Sequence, residues 1–546
     1  MSIIGVTGVI AGGKSTGLEM LQRRTNFGPQ FGNISFINLD QYSKQLTEAN
    51  EQVKSARRHF FYKHFPGRWM EINNAFIIEN IFTQPALYEE FCSIYVPHIE
   101  KVLKNCQQTL VQEDGVPHTF IIEASSIYAY PELYQYFDYM ITIDPSEHTE
   151  RNARVRGVNP KHFKIIKGLY LEQRPRMAID PTINHKLSSI TLNNGTLMEL
   201  RGKIETAIII ALSNINLDDE YFELAGLMIN RLRIKFTESD WNNNPYHNKD
   251  HTRTVLTDLI LRGHLTETLG NVAIWHDIDH TPMHNYNEVK AVNRMNESQK
   301  SGGFSKIRDI WKVSDIIRGT KYDQVITDTD LAIFALSDMS HFTRSPEEII
   351  ETETLLFKEY SVYDWRLYQT THIKVLNNIS LLHESFDELY EGIQLAISFL
   401  KTFEPKIAWF CGSFGPFTVG HLDVLRKAEK MFDKVVIVKA QNPNKSPNSN
   451  HWHKHGGILD NYQVILAETN IPDLLKVTNY TPILVRGIRN QQDVDDANTW
   501  IAQINELTQQ DIECCLILGR REFSHISSTF VRSLIDSNIN ADRFLV

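Results

Sequence analysis

Residues 412–421, GSFGPFTVGH, constrain the local fold more tightly than any other stretch of the chain. The apolar run Ile407–Phe410 before them reads as a short buried strand, and LDVLRKAEKMF after them carries helical apolar spacing. A glycine-rich turn between strand and helix brings backbone N–H groups and a helix N-terminus onto phosphate oxygens. His421, one turn into that helix, is placed to donate to the same anion. Downstream, Lys434–Ala440, Thr481–Val485 and Cys514–Leu518 read as further strands, followed by QNPNKSP, RGIRN and GRREFSHISSTFVRSLI. Strands alternating with helices imply a parallel sheet whose ligand crevice lies at the strand C-termini. The candidate polar groups all fall at such ends: Ser413, Phe414, Thr418, His421, Lys445, Arg486, Gly487, Arg489 and the helix start Ser527, Ser528, Thr529. Taken singly, ISST also reads as an N-cap and RGIR as a basic turn.

GSFGPFTVGHLDVL, FDKVVIVKAQNPNK, LVRGIRN and SHISSTFVRSLI resemble the phosphopantetheine adenylyltransferases over about residues 404–540. The resemblance implies attack of a phosphate oxygen of 4′-phosphopantetheine on the α-phosphorus of ATP, with loss of pyrophosphate. The attacking phosphate is already ionised, so catalysis rests on positioning and on stabilising negative charge. By motif, Thr418, His421 and Lys445 hold the transferring phosphate, with Arg486 and Arg489 around ATP and the acceptor.

At the other end of the chain, Ile3–Val6 reads as a strand leading into GVIAGGKST, residues 8–16, and then a helix. This is GxxxxGKS in the strand–loop–helix setting the motif requires. Gly8, Gly12, Gly13 and Thr16 belong to the phosphate wrap, Lys14 neutralises β/γ charge, and the Ser15 hydroxyl is a ligand for Mg²⁺. Ile34–Leu39 reads as a second strand ending at Asp40, which is placed as a general base for an acceptor hydroxyl or, alternatively, as a helix N-cap. Arg151, Arg154 and Arg156 read as a lid over phosphates or as a solvated basic face. IGVTGVIAGGKST, NLDQYSKQL, FDYMITID and ITLNNGTLMEL together resemble dephospho-CoA kinase over roughly residues 1–210. That family phosphorylates the ribose 3′-hydroxyl of dephospho-CoA with MgATP.

Between the two, from Leu217 onward, the apolar spacing is helical throughout and no strand is expected. PYHNKDH places His247 and His251 one turn apart, AIWHDIDH puts His276 and Asp277 on an apolar helix, and ITDTDLAIF carries Asp328 and Asp330. Imidazoles and carboxylates gathered from several helices make a mixed N/O divalent site, and a cation there activates water against a phosphate ester. The order YHNxxH, HD, NEVKA, DTDLAIF resembles the HD-superfamily phosphohydrolases over residues 218–398. The resemblance implies His251, His276, Asp277 and Asp330 as ligands, His247 and Asp328 as alternates, and Glu288 as an outer or catalytic carboxylate. The metal (Mn, Mg, Fe or Zn) stays open, and such a site also serves as a ligand sensor.

The expected architecture is thus multidomain: an α/β P-loop kinase (1–213), an all-α HD domain (214–402) and a Rossmann-like α/β nucleotidyltransferase with a parallel sheet (403–546). Length alone supports several cores. With 56 Lys and Arg against 66 Asp and Glu, the charge of −10 offers no basic field for nucleic acid or anionic membrane. Five scattered cysteines without CxxC spacing fit a reducing cytosol. Nothing approaches the roughly 18–20 apolar residues of a membrane span, and the N-terminus reads directly into a strand rather than a signal peptide. The expectation is therefore a cytoplasmic CoA-biosynthesis enzyme acting with ATP and Mg²⁺ on 4′-phosphopantetheine and dephospho-CoA, with self-association left open. The alternatives are a nicotinamide-nucleotide kinase and adenylyltransferase, or a nucleotide sensor without turnover.

Overall fold

The computed structural model describes residues 2–546 except 10, 25–26, 111–117, 126, 181–182, 184–186, 193–194, 216–219, 236–243, 283–285, 302–306, 323–324, 380, 441–458, 460–461, 468–469 and 479. Two parallel sheets stand at either end of the chain, and the described residues between them form helices. The first sheet comprises β1 (Ser2–Gly8), β2 (Asn33–Asn38), β3 (His118–Glu123), β4 (Tyr139–Ile143) and β5 (Leu187–Ile190), in the order β2-β3-β1-β4-β5. The second comprises β6 (Ile407–Gly412), β7 (Lys434–Ala440), β8 (Val464–Ala467), β9 (Ile483–Ile488) and β10 (Cys514–Leu518), in the order β10-β9-β6-β7-β8. Every ladder is parallel. Parallel pairing needs crossovers that cover both faces, which is why β4 and β7 are almost unbroken apolar runs and every residue of β1 is buried.

Alternation along each strand then sends side chains into two cores. From β6, Ile407, Trp409 and Cys411 face helix Tyr390–Thr402, where they meet residues such as Ile393 and Leu400. Ala408 and Phe410 face the opposite way, onto Val424 and Leu425 of helix Val419–Ala428. At the first sheet, Ile4, Val6, Ile121 and Ile141 share a core with Leu200, Ile204 and Ile208 of helix Leu197–Ile215. That core continues without a break through Leu256, Leu259 and Trp275 of the central helices.

Helix Leu197–Ile215 is therefore buried from both sides, and the charges it carries must be paired. Arg201 bonds Glu205 at 3.0 Å and Glu348 at 2.7 Å, while Arg24, in the turn after the first helix, reaches Glu205 at 3.5 Å and Asp258 at 2.9 Å. Asp258 also accepts from Arg262 at 2.7 Å. Against the upward push of burial, Arg24, Arg262 and Arg344 hold the Asp258 carboxyl down at about 2. A second junction joins the central helices to the second sheet. The buried ammonium of Lys434, at the start of β7, donates to the carbonyls of Ser361 (2.6 Å) and Tyr363. Among the described residues no helix is long and apolar enough to cross a membrane.

Two outcomes follow from these junctions. Arg201→Met strands buried carboxylates and should cost roughly 3–5 kcal/mol; a loss below about 1 kcal/mol by denaturant titration would show that the network does not hold the helices. Burial lowers Lys434 to about 7, against the pull of Asp364 and from an ordinary value of 10.5. The unfolded chain therefore binds the extra proton between those values, and stability should rise with pH across that window. Lys434→Met should flatten the rise, measured as denaturation midpoint against pH, and an unchanged slope would reject the assignment.

Candidate functional site

The first crevice lies at the C-terminal ends of β1, β2 and β3. Gly13 caps helix Lys14–Gln22 at φ +93°, a left-handed conformation that costs a side chain energy, so glycine is required there. Lys14 folds back over the loop and donates to the Val9 carbonyl at 3.1 Å. Burial pulls its pKa below the usual lysine range, opposed by the nearby Asp40 and Glu123 carboxylates. Ser15 Oγ donates to Glu123 Oε1 at 2.6 Å, and Asn38 Nδ2 donates to Glu123 Oε2 at 2.7 Å. Burial raises the Glu123 carboxyl, with Ser15 pulling the other way. A hydroxyl beside a carboxylate is an oxygen donor set that suits Mg²⁺. Sequence reasoning passed over Glu123, visible only as the acidic end of a buried strand.

Asp40 lies in the first turn of helix Leu39–Ala49 and is not its cap; Asn38 takes that role, accepting from Gln41 N at 2.8 Å. Asp40 accepts instead from Ser125, through the backbone N at 3.0 Å and through the hydroxyl. Beside it opens a cavity of about 220 Å³ walled by Phe82, Tyr88, Phe91 and Tyr95. Of the three arginines expected as a lid or a solvated face, Arg156 donates to Thr16 Oγ1 at 3.2 Å, whereas Arg154 pairs with Glu150 at 2.9 Å and Arg151 is exposed. Arg174, which sequence reasoning did not select, forks onto Asp144 with two 3.1 Å bonds.

In the central helices, His251, His276, Asp277 and Asp338 converge, with one ligand atom from each lying within 4.8 Å of all the others. His276 Nε2 is 3.0 Å from Asp277 Oδ2, and His251 Nε2 is 3.1 Å from Asp338 Oδ1. The Ala273 carbonyl lies 3.0 Å from His276 Nδ1; a carbonyl can only accept, so Nδ1 carries the proton and Nε2 faces inward. Two imidazoles and two carboxylates, buried and oriented in this way, fit a first-row divalent cation. The expected fourth ligand, Asp330, is not among them. It lies in the first turn of helix Thr329–Asp338 and pairs with Lys312, while Asp328 caps the same helix, accepting from Leu331 N at 2.8 Å. The last residue of that helix, Asp338, reaches the cluster, with Tyr322 donating to its other oxygen at 2.8 Å.

His247 stands beside the cluster, 4.0 Å from Asp277 Oδ2, and its Nδ1 is 2.6 Å from Glu359 Oε1. It stacks on His280 at 3.8 Å, and His247, Asp277 and His280 form a second convergent set. Burial would lower the His247 pKa, but Glu359 and Asp277 outweigh it and lift it to about 9.

The third crevice is a cavity of about 300 Å³ where the ends of β6 and β9 meet the loop after β10. Its lining includes Ser413, Phe414, His421, Arg486, Gly487 and Arg489, with Ser527, Ser528 and Thr529 opposite. Lys445 falls outside the described residues. Thr418 caps helix Val419–Ala428, and its backbone N donates to His421 Nδ1 at 3.0 Å. Nδ1 is thus the acceptor, so Nε2 carries the proton on the cavity side. A side chain on Gly487 would meet Val424 at 2.8 Å, so only glycine lets β9 pass this close to the helix. Arg486 lies over the Trp500 ring at 4.7 Å, and Arg489 is tied to Asp493 by bonds of 3.0 and 3.1 Å. Arg486 and Gly487 lie within β9 rather than after it, because the strand runs to Ile488.

Residues 409–456 match the cytidylyltransferase-like family. The chain is 35% identical over 135 residues to a phosphopantetheine adenylyltransferase of Latilactobacillus sakei, covering 24% of this chain and 81% of that protein. Through its C-terminal domain the chain belongs to the phosphopantetheine adenylyltransferase family. A second relative so named, from Streptococcus pneumoniae, is 35% identical over 137 residues, covering 24% of this chain and 83% of its own length. The crystal structure of TT1252 from Thermus thermophilus matches 39% of this chain and 97% of its own at 15% identity, with a TM-score of 0.28, too slight a likeness to bear on the fold.

The metal assignment is directly checkable. Asp338→Ala should abolish stoichiometric Mn²⁺ binding, measured by metal analysis after gel filtration, whereas Asp330→Ala should retain it. The opposite pattern would restore Asp330 as the ligand.

Proposed function

We propose that this chain is a multifunctional enzyme of coenzyme A biosynthesis, with an adenylyltransferase in 403–546, a P-loop kinase in 1–213 and a metal-dependent HD phosphohydrolase in 214–402. The observation that carries it is the Thr418–His421 cap. It orients a protonated Nε2 toward a cavity that also gathers Ser413, Arg486 and a helix N-terminus, in a region closely similar to phosphopantetheine adenylyltransferases. In this reading a phosphate oxygen of 4′-phosphopantetheine attacks the α-phosphorus of ATP and pyrophosphate leaves. His421 and the N-terminus at Ser527–Thr529 neutralise charge on the transferring phosphate, and Arg486 meets the leaving phosphates. Mg²⁺ bound with ATP supplies further charge neutralisation.

The kinase reading rests on the loop at Gly8–Thr16 and on Asp40, poised beside a partly aromatic cavity that suits the body of an acceptor. Lys14 would leave the Val9 carbonyl for β/γ-phosphate oxygens, Ser15 and Glu123 would hold Mg²⁺, and Asp40 would take the 3′-hydroxyl proton of dephospho-CoA. In the central site His251, His276, Asp277 and Asp338 would hold a divalent cation, which supplies Lewis acidity toward a phosphate ester and water. His247, fixed through Nδ1 by Glu359, presents Nε2 toward that site and is placed to hand a proton to the leaving oxygen.

His421→Ala should lower pyrophosphate release from ATP and 4′-phosphopantetheine by about 10²–10³-fold while leaving phosphorylation of dephospho-CoA intact. Lys14→Ala should do the reverse. A folded variant of either kind that silences both reactions would refute separate sites.

A further inference from the structure

The metal-ligand cluster opens into a cavity of about 580 Å³, within the size range of small-molecule sites. Its wall away from the cluster is largely apolar. Phe342, Leu356 and Tyr360 lie on one side, and Leu367, Val375 and Ile379 of helix Trp365–Ile379 on the other. Among the described residues lining it there is one lysine, Lys321, and no arginine, asparagine or glutamine. Apart from its imidazoles, most of them gathered at the cluster end, it offers little positive charge for a polyphosphate. A nucleobase edge, which needs matched donors and acceptors, would call for amide side chains or their equivalent.

Two threonines nevertheless bring hydroxyl-bearing side chains to it, Thr320 and Thr371. The cavity therefore combines a phosphate-handling end, a long apolar wall and a few isolated hydrogen-bonding points.

Building on the phosphohydrolase reading of this site, we propose that its substrate is the phosphate monoester of a flexible, partly aliphatic alcohol bearing amide or hydroxyl groups. 4′-Phosphopantetheine, the acceptor assigned above to the C-terminal site, meets that description: one phosphate, a branched aliphatic segment and two amides. A water oxygen bonds to phosphorus, the ester P–O bond breaks, and a proton from that water ends on the alcohol oxygen. The products are inorganic phosphate and pantetheine. The central site thereby removes the acceptor that the C-terminal site consumes.

The test uses the full chain with Mn²⁺ and no ATP, reading phosphate release from 4′-phosphopantetheine, AMP and p-nitrophenyl phosphate. The expected result is a kcat/KM for 4′-phosphopantetheine at least about tenfold above that for AMP. Thr371→Val should raise its KM roughly 3- to 10-fold through one lost hydrogen bond. Val375→Trp, which fills the cavity from a half-exposed position, should abolish its hydrolysis with bound metal still stoichiometric. Preference for AMP, or hydrolysis of p-nitrophenyl phosphate alone, overturns the substrate assignment and leaves the hydrolase reading standing. No phosphate from any of the three with metal bound overturns both.

Discussion

The fold depends most on the paired charges of helix Leu197–Ile215. A helix packed between a sheet and a helical bundle has no solvent face on which to leave charges, and an unpaired buried charge is costly. Arg201 and Glu205 are both nearly inaccessible, yet each finds partners outside its own helix: Glu348 for the first, Arg24 for the second. Apolar packing alone would tolerate sliding of this helix by a turn. The pairs that leave the helix, Arg201–Glu348 and Glu205–Arg24, do not, because a one-turn shift separates both. The same helix supports the glycine-rich loop, since a side chain on Gly13 would meet Leu200 at 2.9 Å. Register in the core and shape at the glycine-rich loop are thus set by one element.

Parallel sheets impose the next constraint. Because all strands of a sheet point the same way, their C-terminal loops collect at one edge, and residues far apart in sequence meet there. Lys14, Asn38 and Glu123 come from three strand ends, as do Ser413, Arg486 and the loop leading to Ser527. Helix N-termini at the same edge add partial positive charge where anions bind.

This is why so much of the two α/β sites was legible in the sequence. A glycine-rich turn after an apolar run fixes strand, loop and helix together, so placing the motif placed the residues. Strands β5 and β8, four residues each, carried too short a pattern to register. The histidine–aspartate cluster was harder. Asp330 and Asp338 share one helix, but eight residues separate them by about 12 Å along the axis and about 80° around it, so only one can reach a given point. The useful signal was position: carboxylates in a first turn, like Asp328 and Asp330, serve caps and the helix dipole, whereas Asp338 ends an apolar run, LAIFALSD, where only a bound or paired carboxylate is tolerated. Glu359 and Glu123 escaped for a related reason, since their value lies in what they orient.

The arrangement of the second sheet bears on how its two neighbouring sites communicate. Lys434 sits at the N-terminal edge of β7 and grips the 361–363 loop, next to Tyr360 and Tyr363 of the cavity beside His276 and Asp338. The cavity around His421 and Arg486 lies at the opposite, C-terminal edge. Seven residues of strand separate the edges, about 20 Å at roughly 3.3 Å per residue, and the intervening sheet is packed with Val435, Val436, Ile437 and Val438. No small molecule passes through such a core, so a shared ligand travels between the sites through solvent. Under the proposed functions, covalent linkage then acts only through local concentration, and the two sites would compete for 4′-phosphopantetheine instead of handing it on.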